Sequence, residues 1–169
     1  MRMLAFVAAV AIIAGCSQSE RAAGRLWFVD GHESMLGMRG KLENVGRERV
    51  KTPERALAEL VNGPTPSERA DGLITAIPKG TRVETISMSN LMASVQLSSS
   101  APVRLWRSGI YASAQIVYTL TEFDEIARVE LFVNGEHCCV YDMRQRPIER
   151  PLTRAVFRGW QGDPLPPPE

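Results

Sequence analysis

Two adjacent residues, Asn134-Gly135, constrain this chain more than any others. Both residue types accept positive φ, and in this order they favour the tight two-residue turn that joins antiparallel strands. Just before them Val129, Leu131 and Val133 alternate with Glu130 and Phe132, the period of a strand with one face buried. A pairing strand is therefore expected over 137–141. Upstream, 107–122 carries one apolar row of Ile110, Ala114, Val117 and Thr121, and a second of Ile116, Leu120 and Phe123. Those spacings predict a helix with a broad apolar face, which needs a sheet to lie on.

The remaining segments agree with a helix-on-sheet fold. Residues 25–30 (RLWFVD) read as a strand stopped by Asp30-Gly31. A second extended piece is expected over 36–42, weakened by Gly37 and Gly40. Thr52-Pro53-Glu54 is a helix start: a capping hydroxyl, a proline suited to the first turn, and an acid at the positive end of the dipole. Ala56, Leu57, Leu60 and Val61 share one face, and Asn62-Gly63-Pro64 ends the helix. Strands follow over 73–77, 82–88 and 92–97, with Pro78-Lys79-Gly80 and Ser89-Asn90 as turns. The expected class is α/β in the broad sense, an α+β sandwich with two helices on one face of a small mixed or antiparallel sheet.

Length and charge bound the function. The 169 residues suit one domain with tails, and 44% hydrophobic residues can supply its core. Outside residues 1–15, whose one charge is Arg2, 19 Lys+Arg stand against 19 Asp+Glu. A neutral chain with interspersed signs lacks the basic footprint of a nucleic-acid binder. Residues 1–15 have the parts of an export signal: Arg2, then an apolar run over 4–14, then small residues. That run has eleven residues, where a membrane span needs about 20. It ends on Ile13-Ala14-Gly15-Cys16, which resembles a lipobox. The resemblance implies a diacylglycerol thioether on Cys16 and cleavage before it; two or three acyl chains make a durable anchor where one does not. Polar Ser17-Gln18-Ser19-Glu20 then begins a tether over 16–24. Ser17 carries no acidic retention signal. An outer-membrane, periplasmic-face location is expected in a host with two membranes, and the outer face of the cell membrane in a host with one.

Cys138 and Cys139 are adjacent, so in a strand they point to opposite faces and do not pair readily. With His137 they lack the two separated ligand pairs of a metal site. No metal or cofactor is expected.

Several stretches resemble the GerMN domain family, named after a sporulation and spore germination protein. They are LITAIPKGT (73–81), VQLS (95–98), AQIVYTLTEF (114–123) and VELFVNG (129–135), with the Ala56-Leu57-x-x-Leu60 helix ending in Gly63-Pro64. The likeness covers roughly 26–135. It implies a GerMN domain over 25–143 and a C-terminal extension over 144–169. It also implies a fold similar to ring-building modules of envelope machines, no catalytic activity, and a place on exported, often lipid-anchored proteins. In spore formers the founding member helps assemble a complex between two membranes, and in actinobacteria a related lipoprotein works with a sensor kinase. The chain departs from the family pattern in carrying one copy, not two, and in having Ser89-Asn90-Leu91 where an Asp-Gly turn is usual.

Other chemistry finds little support. Ser98-Ser99-Ser100 offers hydroxyls with no histidine nearby; only His32 and His137 exist. Paired acids at Glu122, Asp124 and Glu125 suit a helix end. The expected protein is a non-catalytic module anchored through Cys16, with an envelope protein or its own copies as partner. Aromatic and arginine side chains concentrate at interface centres, so Trp106, Arg107, Phe157, Arg158 and Trp160 are the candidate contact surface. The alternative is a small ligand, such as a cell-wall glycan fragment stacked on Trp27, Trp106 or Trp160. The proline-rich end PLPPPE (164–169) has polyproline character without a further role.

Overall fold

The computed structural model describes residues 24–32, 41–102, 106, 110–138, 147–148 and 150–158. Their strands form two sheets. The first is antiparallel, in the order β2-β1-β3, from β1 (Arg25–Asp30), β2 (Leu42–Gly46) and β3 (Leu73–Ile74). The second runs β4-β5-β6-β7, from β4 (Arg82–Ser89), β5 (Met92–Ser98), β6 (Arg128–Val133) and β7 (Glu136–His137). Its central pair, β5 and β6, is parallel and its outer pairs are antiparallel. The class is α+β, as expected. The single sheet of the sequence reading is divided because, among the described residues, β1 pairs with β2 and β3 alone.

Among the described residues three helices are complete: α1 (Pro53–Asn62), α2 (Pro66–Ala70) and α3 (Ile110–Leu120). In α1 the Thr52 hydroxyl accepts from the Arg55 N–H at 3.3 Å, Pro53 opens the first turn, and Gly63 at φ 81° ends it. Ala56, Leu57 and Leu60 are buried and Val61 is half-buried, the face read from spacing. Residues of α2 form a capping box. The Thr65 hydroxyl accepts from the Glu68 N–H, and the Glu68 carboxylate accepts from the Thr65 N–H. Nothing in α2 is buried, so it carries no apolar period to read, although T-x-x-E is a capping signature.

Helix α3 is the centre of the molecule. All residues from 112 to 120 are buried, including Ser113, Gln115 and Thr119. It packs on β1, α1 and β6, so it is covered on more than the one face expected from its apolar rows. Four consecutive residues of β1, Leu26, Trp27, Phe28 and Val29, are buried as well, the signature of a strand covered on both faces.

The hairpin at Asn134-Gly135 is present, with φ 53° and 78°, but the described part of its return strand is only Glu136–His137. Residues 139–146, where most of the longer expected strand falls, lie outside the described residues, as do 33–40, where most of the expected 36–42 strand falls. The strand at 73–77 stops after Ile74, because the Ala76 and Ile77 N–H groups bond to the side chains of Gln115 and Thr75 at 2.7 and 3.1 Å. The β4–β5 hairpin matches expectation within two residues, and its two-residue turn is Asn90-Leu91.

Candidate functional site

Gln115 and Thr119 complete an unfinished sheet edge. The N–H and C=O groups of Val29 and Gly31 face β3, and those of Asp30 face β2. By alternation the Trp27 peptide groups also face the β3 side, but β3 is two residues long and does not reach them. Helix α3 supplies what the strand lacks. The Trp27 N–H donates to Thr119 Oγ1 at 3.0 Å, and Gln115 Nε2 donates to the Trp27 carbonyl at 3.0 Å. Gln115 Oε1 also accepts from the Ala76 N–H at 2.7 Å, tying helix, strand and loop together. A helical threonine is expected to bond back to the preceding turn, but Thr119 bonds β1 instead; Gln115 carries no expected role, and a buried polar pair one turn apart in an apolar helix is its only signal.

A second cluster surrounds Arg154, which opens a 3-10 turn at Arg154–Phe157. Its guanidinium lies 5.1 Å from the Tyr118 ring centroid and 5.8 Å from that of Trp27. Nε donates to Thr121 Oγ1 at 2.6 Å, and Nη2 donates to the Tyr118 carbonyl at 2.9 Å and to the Glu122 carboxylate. Glu122 also accepts from the Trp27 indole N–H at 3.1 Å. The rings of Trp27, Tyr118 and Phe157 follow one another at centroid separations of 5.2 and 6.4 Å. Glu122, expected as a solvated helix-end acid, is thus a buried anchor for two elements.

This geometry corrects the expected contact surface. Trp106 and Phe157 are both 0% exposed and belong to the core. An aromatic beside an arginine is as much the pattern of a strap sealing a core as of an interface. Arg158 is exposed. Arg107 and Trp160 lie outside the described residues, as do Cys16 and Cys139. Trp27 is 8% exposed, so neither it nor Trp106 offers a ring face to a sugar.

The charged network around Arg47 is also committed. Arg47 bonds Glu68 through Nε at 3.2 Å and Nη2 at 2.6 Å, Glu59 through Nη1 at 3.0 Å, and the Gly63 carbonyl at 3.3 Å. Burial pushes the Glu68 carboxyl up, but the Arg47 guanidinium and the Thr65 N–H outweigh it and hold it below the usual carboxylate range. An open cleft of about 380 Å³ lies here, bordered by Arg49, Val50 and Thr65 as well as the network. With its guanidinium saturated by two carboxylates, the cleft presents no free cation from Arg47 to an anionic ligand.

Two hydroxyls of the serine run are similarly occupied. Ser98 donates to Glu84, and Ser99 Oγ accepts from Thr81 Oγ1 at 3.3 Å and from the Ala101 N–H at 3.2 Å. The Asn134 side chain bonds both the N–H and the carbonyl of Ser99, at 2.9 and 3.0 Å, and fixes the hairpin to this loop. His32 is largely exposed beside Asp30. Gly72 sits at φ 91°, a left-handed conformation that favours glycine, and an added Cβ would also force the exposed His32 ring to move. Cys138 is buried. Among the described residues no three His, Cys, Asp or Glu side chains gather as a metal set.

The comparisons with known proteins agree with the fold. The family model Germane, described as sporulation and spore germination, matches residues 26–138. The first GerMN domain of the sporulation protein GerM from Bacillus subtilis superposes with a TM-score of 0.56 at 19% identity, over 79% of this chain and 99% of that one. The tandem GerMN domains of the same protein give a TM-score of 0.55 at 19% identity, over 79% of this chain. The chain spans 46% of that tandem, about half of its length. No curated protein matches significantly in sequence.

Proposed function

The chain belongs to the Germane family, and from that premise we propose that it is a non-catalytic, lipid-anchored protein of the cell envelope whose one GerMN domain mediates protein–protein assembly at the membrane surface. The observation that carries the non-catalytic reading is how fully its polar side chains serve the fold. Gln115, Thr119, Glu122, Arg154, Arg47 and Asn134, the groups that a site would use, each tie their own segment to another one. Anchoring rests on Cys16, which sits where the apolar run of the leader ends. With Trp27 and Trp106 buried, the ligand-binding alternative loses two of its three stacking platforms.

Crosslinking the full-length protein in cells, followed by affinity purification and mass spectrometry, tests assembly. A defined envelope partner, or a ladder of the protein's own multiples, is the expected result; a bare monomer in every sample refutes it. Cys16→Ala tests the anchor. The variant should lose labelled palmitate and leave the membrane fraction, and incorporation equal to wild type would sink the lipobox reading.

A further inference from the structure

The turn between β4 and β5 contains an expensive residue. Asn90 and Leu91 both have positive φ, 51° and 59°, and Ser89 pairs with Met92 across them. The second position of such a turn favours glycine, and the protein places Gly135 at the matching position of its other tight hairpin. Here a leucine takes the left-handed conformation, and its side chain is 56% exposed. Met88, opposite Ala93 at the end of the sheet's inner face, is 42% exposed. Backbone strain that also exposes apolar surface calls for a reason outside folding.

The tip is held rigidly. The Leu91 carbonyl accepts from the Ala127 and Arg128 N–H groups at 2.8 and 3.1 Å, and Arg128 Nη2 donates to the Asn90 carbonyl at 2.8 Å. It also stands at the end of the fold where the tether enters. Strand β1 runs antiparallel to α3, since the Trp27 N–H meets Thr119 while its carbonyl meets Gln115. Its first residues therefore lie toward the carboxyl end of α3. The chain from that helix end to β6 passes directly beneath the hairpin tip, through Ala127 and Arg128. Gly24 lies eight residue steps from Cys16, a reach of at most about 30 Å.

We propose that the β4–β5 hairpin tip is a membrane-contact element, seating Leu91 and Met88 in the lipid surface that holds the chain. This rests on the anchored reading of Cys16. The occupant is lipid because the tether delivers this end of the domain to a bilayer at high effective concentration. Two apolar side chains alone are too little to recruit a protein from solution. Leu91 and Met88 are uncharged, so contact through them should need no anionic lipid and should survive salt. The effect is to orient the domain, with the opposite end of both sheets facing away from the membrane.

The test uses the full-length acylated protein in phosphatidylcholine vesicles, with an environment-sensitive amino acid at position 91 and nitroxide-labelled acyl chains as quencher. Quenching should be several-fold greater at 91 than at Arg82, the exposed far end of β4, and unchanged by salt. With the probe moved to Met88, Leu91→Gly should reduce it. A protein that floats with the vesicles while the probes at 91 and 82 quench equally overturns the hairpin contact and leaves the anchor intact. A probe at 91 that is shielded yet unquenched gives the tip to a second copy or another protein, and overturns the proposal. Failure to float overturns the anchor and this inference with it.

Discussion

Replacing Gln115 with leucine should remove the bond that finishes the β1 edge while keeping helix propensity nearly unchanged. The two partners cannot be removed with it, because both are backbone groups. The Trp27 carbonyl, buried behind α3, is left without its donor, at about 1–3 kcal/mol. The Ala76 N–H is half-buried and can regain water, so its loss is nearer about 1 kcal/mol. The expected destabilisation is ~2–4 kcal/mol, a large share of the 5–15 kcal/mol that holds an ordinary domain together. Thr119→Val, nearly isosteric, strands the Trp27 N–H alone and should cost about 1–3 kcal/mol. Both side chains serve one residue of one strand, so the double variant should depart from additivity by more than about 0.5 kcal/mol. Urea unfolding followed by tryptophan fluorescence measures all three, since Trp27 and Trp106 are buried and report the transition. A Gln115→Leu loss below about 0.5 kcal/mol would refute the idea that the helix stands in for a missing strand.

Three further outcomes follow from the same geometry. Leu91→Gly relieves a left-handed leucine at about 1–2 kcal/mol and gives back about 0.5–1 kcal/mol in chain entropy, so the urea midpoint should rise by the small remainder. A fall would mean the turn is not strained. Phe157→Ala should cost ~3–5 kcal/mol, as a core truncation does; loss of partner binding at unchanged stability would restore Phe157 to the contact surface. The Glu68 carboxyl titrates lower in the folded than in the unfolded chain. Its contribution is therefore full above the unfolded value and fades as pH falls through the folded one. Between pH ~7 and ~3 the urea midpoint of wild type should fall more steeply than that of Glu68→Gln, and parallel curves would refute it.

How much of this was legible beforehand follows the range of the interactions. Thr52, Pro53 and Gly63 act within one turn of their own positions, and Asn134-Gly135 within four residues, so their effects were readable. The alternation of Ala93, Val95 and Leu97 was equally local, and it matched strand and burial alike. The failures are all non-local. The Leu73 strand was expected to run on to Ile77, but a glutamine 39 residues away takes the Ala76 N–H. Phe157 with Arg158 and Trp106 with Arg107 look like surface hot spots because sequence shows composition and not what lies over it. In the fold, Arg154 closes over the Trp27 and Tyr118 rings, and Phe157 lies beneath.

The same distinction separates the two hairpins. Both turn in two residues with positive φ at each, and both are fixed to a neighbouring loop through an asparagine, by side chain at Asn134 and by carbonyl at Asn90. At Asn134-Gly135 sequence preference and backbone agree, and no large apolar side chain is displayed. At Asn90-Leu91 they disagree, and the disagreement falls on one of the most exposed large apolar side chains among the described residues. If folding were the sole demand on that turn, glycine would serve it better, as it does at position 135. A residue that makes the turn worse and the surface stickier is better explained by what the surface meets than by what the turn needs. In the proposed anchored state, the acyl boundary of a bilayer is the environment in which an outward leucine is stabilising.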